Sequence, residues 1–420
     1  MRLTGAGLSA RVGSLWSEAG VVFSGNVVAR GLGFLFPIVL AHALAKDDFG
    51  TVYFFIGTGF FVGELVLAGF PTAMTRFIAA EGSRQAWLSS ALAGGLPLLL
   101  VSVVLGELVA AAADAPRGLM WMVICGLTID AYYFALLRGL RSFKLLAGYR
   151  VSANLAQLAL LLAAIAAGLD STATAVAIYS FVYLVPIAVI EVLRSPIRRT
   201  LRGAVRPDRP HLRRLARFAL PALVSGCAYA ALVQGDVLFV KLLAPEDLAD
   251  YAAARSLAQP MLLVPYAIAI VMLPAVASAG EGRRWGMLAR ALRVTALIGA
   301  LLTGAYFAGA SLLVRLVLPA DFTETADILP LLAAGLAGIG LCSVLAQWWM
   351  GIGRPGPPAL ALTVGAAVAI GLQYLLTPAH GGVGAAAAVA GGIGAALLTL
   401  GAATARGRLL ERQGEPVASA

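Results

Sequence analysis

The chain has 420 residues, of which 60% are hydrophobic and 12% charged, and its mean hydropathy is +0.89. Soluble domains carry about 25% charged residues, so this composition excludes one and requires an integral membrane protein. A net charge of +10 raises nucleic-acid binding, but that needs an exposed cationic stripe; here the cations fall in short loops between apolar segments, and no nucleic-acid partner is expected.

A bilayer-spanning helix needs about 20 mostly apolar residues. By that rule twelve segments are expected to span. The first six are 19–43, 50–74, 86–109, 118–138, 146–168 and 172–193; the second six are 216–243, 250–278, 287–312, 326–350, 356–377 and 381–404. The first segment starts near Gly20, is too long for the apolar core of a cleavable leader and carries Arg30, so no signal peptide is expected. Cys125, Cys227 and Cys342 all lie inside apolar segments, which makes them packing residues. The three histidines (His42, His211, His380) are scattered and no P-loop is present. No metal and no cofactor are expected.

The loops test this count. With the N-terminus inside, one set of loops holds Arg76 and Arg84; Arg138, Arg141, Lys144 and Arg150; Arg283, Arg284, Arg290 and Arg293; and Arg354. The tails add Arg2, Arg11, Arg406, Arg408 and Arg412. The central stretch Arg194–Arg217 adds nine arginines against one acid, Asp208. That places 25 of the 31 basic residues on one side. The opposite loops are acidic: Asp47 and Asp48, Asp114, Asp170, Glu246, Asp247 and Asp250, then Asp321, Glu324 and Asp327. A missed helix would invert every later loop, so the positive-inside rule supports twelve spans with both termini cytoplasmic.

The two halves repeat. Leu44-Ala45-Lys46-Asp47-Asp48-Phe49-Gly50 follows the first segment, and Leu243-Ala244-Pro245-Glu246-Asp247-Leu248-Ala249 follows the seventh. Glu81-Gly82-Ser83-Arg84 is likewise matched by Glu281-Gly282-Arg283-Arg284. A common offset of about 200 residues at equivalent topological places marks an internal repeat. An even number of helices per half makes it a parallel repeat, as in transporters that rock about a midplane site. The expected organisation is an all-α polytopic membrane protein. A six-helix lobe spans 1–193, a basic cytoplasmic linker 194–215, a second six-helix lobe 216–404 and a cytoplasmic tail 405–420.

The same places carry a family resemblance. Asn26 and Arg30 stand a turn apart before Pro37; the acidic turn Asp47, Asp48, Gly50, Tyr53 follows, then Gly69-Phe70-Pro71 and Arg76-Phe77-Ile78. Arg138-Gly139, Phe218 and Pro221, Asp236, Tyr251-Ala252-Ala253-Ala254-Arg255, Pro274 and Pro378-Ala379-His380-Gly381-Gly382 continue the pattern. In order and spacing this resembles the polysaccharide exporters of the multidrug/oligosaccharidyl-lipid/polysaccharide (MOP) superfamily, and most of all their Wzx-type O-antigen and exopolysaccharide flippases. The lipid II flippases are similar but usually have two further helices. The resemblance implies a MATE-like fold in a bacterial inner membrane. It implies as cargo a polyprenyl-diphosphate-linked glycan moved from inner to outer leaflet, with membrane lipids and other polysaccharide-assembly membrane proteins as partners.

Within the spans the charged residues are the candidates for function. Arg30 sits about ten residues from either end of its segment, hence roughly 15 Å deep. A guanidinium there costs about 2.5–3.5 kcal/mol and must face protein or a wet cavity. It is either a bidentate diphosphate ligand or half of a structural ion pair; Asn26 shares its face. Asp236 and Arg255 fall at similar depth across the 243–250 turn, where they either pair or leave Arg255 to snorkel outwards. Gln234 and Gln259 line the cavity or glue helices together. Glu64 either balances Arg30 or carries a coupling proton. Asp130, beside Tyr132 and Tyr133, is a second coupling candidate or a buried interhelical bond. Gly31, Gly33 and Pro37, with Pro260 and Pro265, mark helices that bend in transport or are simply kinked. A drug/cation antiporter of the same fold would favour an acidic, aromatic cavity, and a glycan polymerase or ligase would need a large outer loop. Neither suits a chain whose deepest charge is an arginine and whose loops are short.

Overall fold

The computed structural model describes residues 24–25, 27–67, 69–80, 84–140, 142–200, 209–278, 281–352, 354 and 356–412. Asn26, Arg141, the Glu81-Gly82-Ser83 half of one repeat match, residues 201–208 of the basic linker and both tail ends lie outside them. Among the described residues the regular structure is all helical, joined by turns and short irregular links. The helices are α1 (Val27–Ala43), then α2 (Lys46–Leu67), α3 (Phe70–Ala80), α4 (Arg84–Ala112), α5 (Leu119–Gly139), α6 (Phe143–Ala166), α7 (Thr172–Phe181) and α8 (Leu184–Leu193). After α9 (Pro196–Thr200) come α10 (Arg209–Gln234), α11 (Asp236–Leu243), α12 (Leu248–Ala258), α13 (Leu263–Ser278), α14 (Glu281–Val317), α15 (Thr325–Gly351) and α16 (Gly356–Arg412). Among the described residues eight helices are long and apolar enough to cross a membrane, or nine when a bent pair counts as one span.

The breaks between and within spans have local causes. Gly69, at φ 72°, ends α2, and Pro71 then occupies the first turn of α3, where a missing N–H costs nothing. Pro186 cannot donate to the Val182 carbonyl, which takes the Val185 N–H instead (3.1 Å), and the helix breaks there between α7 and α8. Gly235 donates to Ala230 one residue too far back (3.1 Å) as well as to Ala231; this local bulge bends α10 against α11 by 47°. Pro260 falls in a 3-10 turn, Gln259–Leu262, that separates α12 from α13.

Helix α16 covers two of the expected spans, and 57 residues of straight helix would be about 85 Å long. It is instead interrupted at Gly381 (φ 55°, ψ −136°). Its two arms run antiparallel: Gly365 packs on Gly392 and Ala396, Gly392 on Ala369, Gly391 on Leu372, and Gly384 on the Leu376 carbonyl. The small residues let these backbones meet, as expected of the Gly391-Gly392 stretch.

The contacts divide the chain into two compact units: residues 1–39 with 62–223, and residues 40–61 with 224–420. The first holds a core of Met74, Ile78, Trp87, Leu136, Tyr149 and Leu215. The second holds one of Val276, Leu288, Val344, Trp348, Trp349 and Leu400. The start of α10 therefore packs in the first unit, with Leu215 fully buried, His211 edge-on to Trp87 (4.3 Å) and Arg214 over the same ring (5.4 Å). Most of the former loop arginines from 209 onward are helical.

Candidate functional site

In the first unit, α1 turns one face to α6, where Gly25 and Gly33 approach Ala147 and Asn154 and Ala29 is buried. Arg30 and Gly31 lie on the other, exposed face, and a side chain added at Gly31 would meet nothing within 4 Å. The helix continues unbroken through Gly31, Gly33 and Pro37. Glu64, half-buried in α2, has no hydrogen bond or ion pair with a described residue, and open space surrounds its neighbour Gly63.

Asp130 is buried in α5 and fully engaged. Tyr149 donates to it at 2.6 Å, and Arg150 reaches both its oxygens at 3.1 and 3.0 Å. Arg150 thus needs correcting: it is not a loop cation but a helical residue whose guanidinium also stacks over Phe134 at 4.3 Å. The α5–α6 connection is so short that the eighth residue of α6 already lies level with Asp130. Tyr133 turns away to Glu191 (3.2 Å). Of the two readings of Asp130, this geometry is that of the buried interhelical bond.

In the second unit the depth argument across the 243–250 turn holds. The Gly235 bend delivers Asp236 to the start of α11, where it accepts from the Val237 N–H (3.0 Å), the Tyr251 hydroxyl (2.5 Å) and Arg255. Arg255 also donates to Gln234 (3.0 Å). Both charges are buried, Asp236 2% and Arg255 7% exposed. Gln259 stands apart, exposed at the start of the 3-10 turn. Pro265 packs on Gly340 in the first turn of α13, where proline is tolerated.

A third cluster escaped the sequence reading. The acidic turns of the two repeats meet: a side chain at Gly50 would lie 3.0 Å from the Ala249 backbone. Beside them Lys46 binds Asp250 at 2.5 Å and the Asp321 carbonyl at 2.8 Å. Asp250 also takes the N–H and hydroxyl of Thr325 (3.0 and 2.8 Å). Asp247 accepts from the Gly382 N–H at 2.6 Å, at the break in α16. This latch ties α2, α12, α15 and α16 together at the acidic end of the second unit. The crowded carboxylates leave a trace: the Asp247 charge first, then partial burial and Asp250, hold Glu324 above the usual carboxylate range.

Known structures share this architecture. The lipid II flippase MurJ, in an inward closed conformation, superposes with a TM-score of 0.71 at 16% identity, over 90% of this chain and 86% of that one. An inward-facing MATE-family multidrug resistance transporter of the MOP superfamily gives 0.74 at 14% identity, over 94% and 99%. The Vibrio cholerae MATE transporter VcmN gives 0.63 at 14%, over 97% and 98%. The chain therefore has a MATE/MurJ-like fold, that of a multi-pass membrane protein. It belongs to the polysaccharide biosynthesis protein family, whose pattern matches residues 15–279. The comparison with curated proteins finds no match.

Proposed function

We propose that the chain is a flippase for a polyprenyl-diphosphate-linked oligosaccharide. It would carry the glycan from the cytoplasmic to the outer leaflet of a bacterial inner membrane by alternating access of two six-helix lobes, with twelve spans and both termini inside. The observation that carries this reading is Arg30. It is a guanidinium on the open face of an apolar helix, in a chain of the polysaccharide biosynthesis family. A cation there answers an anionic headgroup, and its fork matches phosphate oxygens. Asn26, one turn earlier, would orient it or hold a sugar hydroxyl. Arg255, Asp236, Gln234 and Gln259 complete the cavity's polar lining in a state where the Asp236–Arg255 pair opens. Glu64 is the coupling carboxylate, and Asp130 would be a secondary one only in a state where its bonds to Tyr149 and Arg150 open. Bending at Gly31, Gly33 and Pro37 and at Pro260 and Pro265 accompanies the exchange of access.

The test is a leaflet-resolved flipping assay in liposomes with defined lipid-linked oligosaccharides. Arg30→Ala should abolish flipping while the protein still accumulates in the membrane. Arg30→Lys should keep only part of it, because an ammonium is a point charge without the bidentate fork. Full transport by Arg30→Ala, or loss of folded protein that a neutral Glu64 restores, would refute the assignment. A MATE-like antiporter would instead lose drug efflux with Glu64→Gln and flip no lipid.

A further inference from the structure

The arginine-bearing end of the second unit carries a groove that the transport reading does not use. It lies between the start of α14 and the second arm of α16, with Leu345 of α15 as its floor, and its volume is about 480 Å3. Ligand sites run from about 300 to 1,000 Å3. Its α14 wall is Trp285, Leu288 and Leu292, spaced so that one helix face lines it; the α16 wall is Ala405 and Arg408.

The trough is mostly apolar, and Arg408 stands in its wall. Trp285 packs on Trp348 (ring centres 4.5 Å), which packs on Trp349 (5.3 Å), whose indole donates to Thr404 on α16 (3.0 Å). Arg408 lies over the Trp285 ring at 5.8 Å. Arg283, Arg290 and Arg406 are exposed close by in sequence. The acid at this rim, Glu411, accepts the Trp285 indole N–H. An apolar trough with an arginine, Arg408, in its wall is complementary to one class of ligand, a phosphate headgroup with a hydrocarbon chain. Basic pockets between membrane helices on the cytoplasmic side bind acidic lipids for this reason.

We propose that this groove is a binding site for an anionic phospholipid of the cytoplasmic leaflet, distinct from the transported cargo. The headgroup phosphate sits at Arg408 and one acyl chain runs along Leu288, Leu292 and Leu345. The leaflet follows from the arginines at this end of the spans.

The test uses the full chain in phosphatidylcholine vesicles. Brominated lipid is titrated in, and the Trp285 emission is read as the difference between wild type and Trp285→Phe. Brominated phosphatidylglycerol should quench that component at a mole fraction about fivefold lower than brominated phosphatidylcholine, the worth of one cation beside an acidic headgroup. Arg408→Gln, an exposed change, should erase the preference, and Ala405→Phe should fill the trough and remove quenching by both lipids. Added inorganic phosphate should leave the curves unmoved, since the chain as well as the headgroup binds. Equal quenching by the two lipids, an undiminished preference in Arg408→Gln, or displacement by phosphate alone would overturn the proposal. So would quenching that follows protein dilution instead of lipid class, which would mean that a second copy fills the groove.

Discussion

Replacing Arg255 by glutamine leaves the Asp236 carboxylate 2% exposed with only the Tyr251 hydroxyl and the Val237 N–H to compensate it. Replacing Asp236 by asparagine leaves a guanidinium that is 7% exposed with neutral acceptors only, Gln234 among them, and no compensating charge. Breaking a buried pair from one side costs about 3–5 kcal/mol, because the surviving charge is left uncompensated in low dielectric. Changing both residues leaves two neutral amides within reach of the same partners, so the double variant should lie within about 1–2 kcal/mol of wild type. The coupling, the two single losses less that of the double variant, is then about 4–9 kcal/mol, well above the ~0.5 kcal/mol scatter of independent sites. The assay is a four-protein cycle, unfolded reversibly by detergent titration in bicelles and followed by tryptophan emission. Two small, additive single effects would refute the reasoning. They would mean that the pair clamps nothing and that Arg255 is free to serve a ligand.

Other consequences can be checked in the same way. Lys46→Met should loosen the latch, since it leaves Asp250, 2% exposed at its side chain, to Thr325 alone; about 1–3 kcal/mol of stability should go, and a cysteine placed at Thr51 should label faster. Gly381→Ala should lower the melting temperature more than the about 1–3 kcal/mol of its backbone strain implies, because its Cβ would lie 1.8 Å from Asp247 Oδ2; adding Asp247→Ala should recover part of the loss. Glu324 binds its proton more readily folded than unfolded. Its stabilising share is therefore complete below the ordinary carboxylate range and is lost as pH rises through the raised value. A plot of melting temperature against pH should accordingly step down on alkalinisation, and Glu324→Gln should remove that step.

The helical, membrane-spanning character was legible because hydropathy and loop charge act along the chain, residue by residue, and eight or nine membrane-length spans are found among the described residues. The break near Gly381 and the Asp236–Arg255 pairing were within reach for a similar reason, since a hairpin fixes which depths face each other, but the bend at Gly235 was not. Arg150 was misplaced because a loop cation and a half-buried helical one look alike in sequence; only the brevity of the 140–142 connection, which raises Arg150 to the level of Asp130, separates them. The latch was harder still. The repeat shows that Lys46 and Pro245 occupy equivalent turns, yet nothing in that equivalence says the turns touch, or that Lys46 would choose Asp250 over Asp247. The open side of Arg30 is a further case, since one helix read alone has no inside.

The meeting of Gly50 with Ala249 has a consequence for which side chains those turns can carry. Where a repeat packs against its counterpart at matching positions, the contact is isologous: each residue confronts its own equivalent, as across the axis of a homodimer. Within one chain, unlike a homodimer, the two positions vary independently, so the close approach bounds the sum of their bulk and not each alone. With backbones this close, the smallest residues are the stable solution for both. A single methyl divided between the two positions, none on Gly50 and one on Ala249, is how the pair fills the space without doubling it. Such a site behaves as one residue written in two places, and its composition is set by the sum of the two.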